Sequence, residues 1–213
     1  MNTTGTMRQE LKRQYPQESG GITFEKGSLD ELPVTFCRYE LGRDTSPMDR
    51  FSSMYLHNTY KHTDLEELLR YSVEHRGFAG IGYHFVITPR GDIFVTRPLT
   101  VQGAHVYGMN RESVGVGFLN IDACASSESA KKNFVALHTL LEQRSAVPRL
   151  PAYSHTYGQF MYLAKMTKQY NAEKTSEESI PLVSFDHRVY DVREFSRKRR
   201  QAFNNIREYR KNH

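Results

Sequence analysis

The sequence predicts an α/β domain in which a mixed central β-sheet is flanked by helices. Short apolar, β-prone runs alternate along the chain with segments whose apolar residues recur at helical spacing, an order typical of α/β layers. Hydrophobic residues make up 38% and charged residues 25% of the 213 residues, which is the composition of neither a disordered chain nor a membrane protein. The length fits one domain with appendages and is sufficient for a core without disulfide staples.

Seven segments are predicted as strands because they are short, apolar and bounded by turn residues. They are residues 33–39, 51–57, 80–87, 93–96, 113–121, 150–154 and 180–185. The turn Pro-Arg-Gly-Asp at 89–92 joins the third and fourth of them, so these two are expected to form a β-hairpin. Residues 1–27 are polar and are interpreted as a loosely ordered lead-in with one apolar patch at 22–24.

Helices are predicted where apolar residues recur at a period near 3.6. The segments are 64–75, 130–143 and 192–209, with a weaker candidate at 162–170. Thr63 or Asp64 is placed to cap the first helix, and Gly77 lies where that helix is expected to stop. Strands and helices in this order indicate a sheet with helices packed on it.

The sequence lacks the signals of export and membrane insertion. No apolar run approaches the roughly 20 residues that span a bilayer, and the first fifteen residues lack the apolar core of a secretory signal. We therefore expect the chain to be cytoplasmic as synthesised. In that reducing compartment Cys37 and Cys124 are expected to be free thiols.

The positive charge is concentrated at the C-terminus. The net charge is +5, and residues 193–213 carry eight Lys or Arg against two Glu, which leaves the rest of the chain at −1. Such a block is typical of a solvated helix end, or of attraction to an anionic surface such as nucleic acid, lipid or an acidic wall polymer.

Three of the nine histidines lie at the ends of predicted strands. They are His57, His155 and His187. Because neighbouring strand ends converge on a rigid support, histidines at those ends are suited to bind one zinc ion. The pattern favours a metal site at this edge of the sheet, although each histidine alone is more typical of a surface or hydrogen-bonded side chain.

The stretch 81–120 contains four motifs that occur together in a known family. They are IGYHFVI (81–87), RGDIFVTRP (90–98), GAHVYGMN (103–110) and SVGV (113–116), with YLHNTY (55–60) upstream and AYSHTYG (152–158) downstream. In these motifs the sequence resembles the type 2 N-acetylmuramoyl-L-alanine amidases, the zinc family that includes peptidoglycan recognition proteins and many phage lysins. The resemblance extends from about residue 55 to 195.

The resemblance implies a zinc-bearing groove that hydrolyses the amide between the muramyl lactyl group and L-alanine of the stem peptide. His57 and His155 then match zinc ligands, and Tyr83 matches the tyrosine whose hydroxyl lies near the zinc-bound water. His105 matches a position beside the groove, where it contacts substrate or supports the site from behind. Asn110 is placed with it on the substrate side, or holds the loop that enters the next strand. His84 is expected on the opposite face of its strand, in a structural role.

The third ligand departs from the family pattern of Cys-Pro or Asp-Pro-Gly. His187 falls where the family has cysteine, and Asp186 is its neighbour, so either side chain is a chemically sound ligand, with His187 preferred. An alternative register makes His187 the second ligand and Asp191 the third. Gly117 occupies a strand position where some members of the family carry an acidic catalytic residue.

The domain organisation predicted on this basis has three parts. Residues 1–50 form an N-terminal extension, and residues 51–213 form the amidase-like domain, which ends in a basic helix. The 31 residues between His155 and His187 exceed the family's usual loop, so residues 156–179 are interpreted as an insertion that covers the groove.

Three functions remain open from the sequence. The preferred one is a monomeric zinc amidase that acts on peptidoglycan or muropeptides, as a phage lysin released to the cell wall does. The alternatives are a binding module that does not cut peptidoglycan, and a zinc hydrolase redirected to another small substrate. Nucleic acid is not an expected partner, since the basic tail lacks a recognition fold of its own.

Overall fold

The computed structural model describes residues 22–39, 41, 45–59, 62, 64–154 and a few positions between 164 and 185. It confirms the predicted fold class. The strands are β1 Thr23–Leu29, β2 Leu32–Arg38, β3 Ser53–Asn58, β4 Phe85–Ile87, β5 Ile93–Val95, β6 Ser113–Phe118, β7 Ala152–Ser154 and β8 Ser184–Phe185. The helices are α1 Leu65–Arg70, which continues as a π-helical turn over Tyr71–His75, α2 Ile121–Ala125 and α3 Glu128–Arg144.

These strands form one mixed sheet in the order β1-β2-β5-β4-β6-β3-β7-β8. The pairs β1–β2 and β4–β5 are antiparallel, and the second is the predicted hairpin. The central pairs β4–β6, β6–β3, β3–β7 and β7–β8 are parallel. Because parallel strands run in one direction, β3, β6 and β7 end at the same edge of the sheet.

Successive side chains of each strand point to opposite faces of the sheet, so that one face is packed with apolar side chains and the other carries the ring of His57. The packed face lies under α3, and its side chains include Met54, Leu56, Phe85, Ile87, Val114, Val116 and Phe118. The opposite face presents His57, Gly115 and Gly117, and α1 packs on it further along, where Leu65 and Leu68 belong to the same hydrophobic cluster as Val86. The described helices therefore pack on both faces, and the residues that carry Tyr83 and His105 lie over His57.

Strand β1 was not predicted by the sequence, which indicated a loosely ordered lead-in up to residue 27. Thr23–Leu29 is exposed along most of its length, so it lacks the alternating apolar pattern that predicts a strand. A two-residue turn forms it: Asp30 and Glu31 have positive φ values of 44° and 71°, as a tight hairpin turn requires. Residues 23–38 of the predicted extension are thus two strands of the same sheet.

The predicted strand at 80–87 is only three residues long in the structure. A Cβ on Gly82 would come within 2.6 Å of the Ala104 carbonyl oxygen, so the backbone of 80–84 lies against the 103–105 loop. The side chains of residues 80–84 therefore do not alternate between the two faces of the sheet as those of a regular strand do.

The predicted helices at 64–75 and 130–143 are present, and Asp64 is the cap of the first. Its carboxylate accepts a hydrogen bond of 2.7 Å from the Glu67 N–H, and Gly77, with φ of 65°, follows the helix. Of the weaker candidate at 162–170, residues 164, 167 and 168 are helical. The helix at 192–209 and most of the insertion at 156–179 lie outside the described residues.

Both cysteines are buried free thiols, as predicted. Burial raises the pKa of the Cys37 and Cys124 thiols to about 12. Within the described part of the chain, every helix is too short or too polar to cross a membrane.

Candidate active site

Three aromatic side chains predicted to carry the function lie together on the face of the sheet opposite α3. His57 comes from β3, Tyr83 from the segment before β4, and His105 from the loop before β6. The ring centroids of His57 and Tyr83 are 4.9 Å apart, and those of His57 and His105 are 5.2 Å apart. His57 is 3% exposed, whereas Tyr83 and His105 are half-buried.

Two glycines of β6 provide the floor of this cluster. Gly117 pairs with His57 in the parallel register, and a Cβ on Gly117 would lie 2.8 Å from Cδ2 of Tyr83. A Cβ on Gly115 would lie 2.6 Å from the ring of His105. The rings of Tyr83 and His105 therefore lie directly on the sheet, in space that side chains at these positions would fill.

Asn110 holds the loop that carries His105. Its side-chain oxygen accepts hydrogen bonds from the backbone N–H groups of His105, at 2.9 Å, and Val106, at 2.8 Å. This is the loop-holding role considered for Asn110 from the sequence. Contact between Asn110 and substrate stays a prediction.

His84 has a structural role, as predicted, but it does not lie where the sequence predicts. It was expected across the strand from the site, whereas its ring centroid is 5.7 Å from that of His105, because residues 80–84 are not a strand. It is fully buried. The Gly115 N–H donates to its Nδ1 at 3.0 Å, and its Nε2 donates to the Val101 carbonyl at 2.9 Å. Burial, and then the Arg97 charge, lower the pKa of His84 to about 3, so the ring is neutral.

Arg97 and Tyr39 hold the backbone under the site, and sequence reasoning did not identify either. Arg97 is 2% exposed and donates to the carbonyls of Ile81, at 3.0 Å, and Gln102, at 2.8 Å. The Tyr39 hydroxyl accepts from the Ile81 N–H at 3.1 Å and donates to the Thr96 carbonyl. These bonds join the segment that leads to Tyr83 with the loop that leads to His105. The only sequence signal was the position of Arg97 in the motif RGDIFVTRP.

The described residues supply one part of the predicted metal site. Among them, no group of three His, Cys, Asp or Glu side chains is arranged to hold an ion. His57 offers an imidazole nitrogen, a donor that suits zinc. The other predicted ligands, His155 and His187, and the alternatives Asp186 and Asp191, lie outside the described residues. The residues present are thus compatible with a zinc ligand at His57.

Comparison with known proteins gives a local sequence match. No family model matches the chain. Peptidoglycan-recognition protein SC2 of Drosophila melanogaster is 37% identical to it over 57 residues, which are 27% of this chain and 31% of the fly protein. The match therefore spans about a third of the length of that curated relative.

Solved structures with a similar chain path include an amidase and a recognition protein. The N-acetylmuramoyl-L-alanine amidase LysC from Clostridium intestinale URNW aligns with 55% of this chain and 79% of its own, with a TM-score of 0.48 and 22% identity. The Drosophila peptidoglycan recognition protein SD aligns with 54% of this chain and 75% of its own, with a TM-score of 0.48 and 18% identity. At this level of similarity these structures carry no argument about chemistry. The match to the fly protein SC2 confirms that the sequence resembles the family of type 2 N-acetylmuramoyl-L-alanine amidases and peptidoglycan recognition proteins.

Proposed function

We propose that this protein is a zinc-dependent amidase that hydrolyses the bond between N-acetylmuramic acid and L-alanine in peptidoglycan or muropeptides. The observation that carries the proposal is the meeting of His57, Tyr83 and His105 on one glycine-floored face of the sheet. The ring centroids of Tyr83 and His105 lie 4.9 and 5.2 Å from that of His57. This arrangement sets a hydroxyl-bearing ring on one side of an imidazole that suits zinc and a second imidazole on the other.

We assign the metal to His57, His155 and one of Asp186 and His187. The register of the sheet supports this assignment. Parallel pairing of β3 with β7 matches Tyr55 with Tyr153, and His57 and His155 each follow two residues later in the sequence. Pairing of β7 with β8 matches Ser154 with Phe185, the residues directly before His155 and Asp186. Three protein ligands leave one position of a tetrahedral zinc site open.

In a site of this kind, zinc supplies Lewis acidity and lowers the pKa of its water, which is the chemistry needed to hydrolyse an amide at neutral pH. We expect Tyr83 to be the side chain that stabilises the negative charge formed during hydrolysis. Its ring is fixed between Gly117 and His57, and its carbonyl accepts a 2.9 Å hydrogen bond from the Thr96 hydroxyl. A hydroxyl on a ring held in this way is preorganised to donate to the oxygen that becomes negative during amide hydrolysis.

The test is the release of stem peptides from purified peptidoglycan. Zinc-loaded protein is expected to expose new N-terminal L-alanine, and a chelator is expected to abolish this release. Tyr83→Phe keeps the ring and removes only the hydroxyl, so we expect kcat to fall by about 10²–10³ with zinc content unchanged. Tyr153→Phe is the matched control, because Tyr153 is half-buried on the same face. Wild-type protein that holds zinc and releases no L-alanine terminus would overturn the proposal.

A second candidate is a module that binds peptidoglycan without cutting it. The close packing of Tyr83 against Gly117 favours it. The resemblance places an acidic catalytic residue at this strand position in some members of the family, and the ring of Tyr83 leaves no room for such a side chain. This candidate predicts that zinc-free protein and Tyr83→Phe bind muropeptides as well as the zinc-loaded wild type does. It also predicts that none of these proteins cleaves the muropeptide. A hydrolase for another small substrate would instead hold zinc and leave cell wall intact.

The proposed partner is the bacterial cell wall, approached by a monomer. The basic block at 193–213 favours association with an anionic wall polymer. Release of the protein to the wall as a phage lysin is part of the same proposal, and lysis of bacteria by externally added protein tests it.

A further inference from the structure

His57, His105 and Ser113 form a chain of hydrogen-bonding groups that begins at a backbone carbonyl. Nε2 of His57 lies 3.2 Å from Nδ1 of His105. Nε2 of His105 lies 3.3 Å from the carbonyl oxygen of Ser113. The two imidazole planes are nearly perpendicular, at 78°, so that the edge of one ring meets the other.

The Ser113 carbonyl determines which ring nitrogens of His105 and His57 carry protons. A carbonyl oxygen only accepts hydrogen bonds, so His105 carries its proton on Nε2 and donates it to Ser113. A neutral imidazole has one N–H, so Nδ1 of His105 is then an acceptor. The facing Nε2 of His57 must therefore be the donor. In neutral His57 this leaves the lone pair on Nδ1.

His105 is restrained strongly enough to impose this arrangement. A Cβ on Gly103 would lie 2.4 Å from its ring and one on Gly115 would lie 2.6 Å from it, so the ring is enclosed on two sides by backbone. Asn110 holds its backbone N–H. Rotation of the ring is thus opposed by packing on both sides and by the bond to Ser113.

We infer that His105 is a positioning residue which fixes the tautomer of His57, so that Nδ1 is the nitrogen of His57 offered to the metal. This inference rests on the proposed function only in taking His57 as a ligand. A histidine ligand usually donates its second N–H to a nearby acceptor, which orients the ring and strengthens the ligand. Here that acceptor is another imidazole, itself anchored to the backbone.

The direct test is the protonation state of each ring nitrogen in the metal-free protein. Long-range proton–nitrogen NMR spectra of protein labelled with 15N in histidine separate a protonated from an unprotonated ring nitrogen, at a pH where imidazoles are neutral. We expect protonated Nε2 in both His57 and His105. His84 and His138 are internal controls, because Nε2 of each lies 2.9 Å from a backbone carbonyl. A His57 protonated on Nδ1 would overturn the inference whether or not the protein is an amidase.

A second measurement tests the consequence for metal binding. His105→Phe keeps a ring and removes the acceptor, and we expect zinc affinity to fall by about 10- to 100-fold. His105→Asn places an oxygen near the former Nδ1 and should restore most of that loss, while both variants keep the wild-type fold by circular dichroism. Equal affinity in His105→Phe and wild type would contradict the role given to His105. If no variant and no wild-type protein bound zinc, the proposed function would fail, and the NMR result would still decide the tautomer.

Discussion

Tyr83 lies with its ring against Gly117, so closely that a single added Cβ on the glycine would come within 2.8 Å of Cδ2 of the tyrosine. The glycine lies in β6 directly beside His57 in β3. The absence of a side chain on one strand therefore decides where the tyrosine lies relative to the histidine of the next strand.

Gly117→Ala is expected to displace Tyr83 from the sheet. Overpacking of this kind costs about 1–3 kcal/mol of unfolding free energy, and amidase activity should fall because the ring of Tyr83 leaves its place beside that of His57. Urea denaturation and stem-peptide release measure the two effects. In a Tyr83→Ala background the same substitution should cost little stability, since the colliding ring is gone. An equal cost in both backgrounds would mean that the ring is not what limits this position.

Asn110→Ala is expected to loosen the loop that carries His105. The substitution leaves two backbone N–H groups without their acceptor, and each such loss costs about 1–3 kcal/mol when the group is buried. Asn110→Asp keeps an oxygen at the same place and should retain most of the stability. Equal destabilisation of the two variants in urea denaturation would contradict the role of the side-chain oxygen.

His84 is expected to make the folded state sensitive to acid. The folded protein keeps this ring neutral to about pH 3, whereas in the unfolded chain its ordinary pKa is 6.5. Between these pH values the unfolded state binds more protons, so the stability that depends on neutral His84 is complete above pH 6.5. It is lost as the pH falls, by up to about 1.4 kcal/mol per pH unit. Urea denaturation at several pH values gives the unfolding free energy as a function of pH. Below pH 6.5 this free energy should depend less steeply on pH in His84→Gln than in the wild type. The same slope in both proteins would show that His84 does not titrate in this way.

Arg97 is expected to stabilise the backbone that carries Tyr83 and His105. Arg97→Met removes both donors from the buried carbonyls of Ile81 and Gln102, a loss of at least about 2 kcal/mol. Arg144→Met is the control, because Arg144 pairs with Asp30 at the exposed surface and such pairs contribute about 0–1 kcal/mol. Thermal or urea denaturation compares them, and a cost for Arg97→Met no larger than that for Arg144→Met would contradict the role of this side chain.

The elements that the sequence predicted well carry local signals. Asp64 before an apolar helical pattern predicted the start of α1, and the Gly-containing turn at 89–92 predicted the hairpin of β4 and β5. The turn at Asp30 and Glu31 gave a weaker signal. Asp is common at positive φ in such turns, but Glu31 occupies the second position, where glycine usually follows. Strand β1 was missed for that reason.

The site could be predicted only as far as its motifs extend. The resemblance named His57, Tyr83 and His105, and the structure brings these three together. The supports of the site were not predictable, because Arg97 and Ser113 act on or through backbone carbonyls, which carry no residue-specific signal. The environment of His84 was misjudged because the close approach of Gly82 to Ala104 ends the strand early.

The proposed function depends most on a metal ion held by His57, and the metal content of purified protein tests this most directly. Wild-type protein loaded with zinc and then dialysed should retain about one ion per chain, as a single three-ligand site requires. His57→Ala and His155→Ala should lose it, one of Asp186→Ala and His187→Ala should lose it, and His75→Ala, which removes an exposed histidine, should keep it. Zinc retained by His57→Ala at the wild-type level, or no zinc in the wild-type protein, would contradict the account.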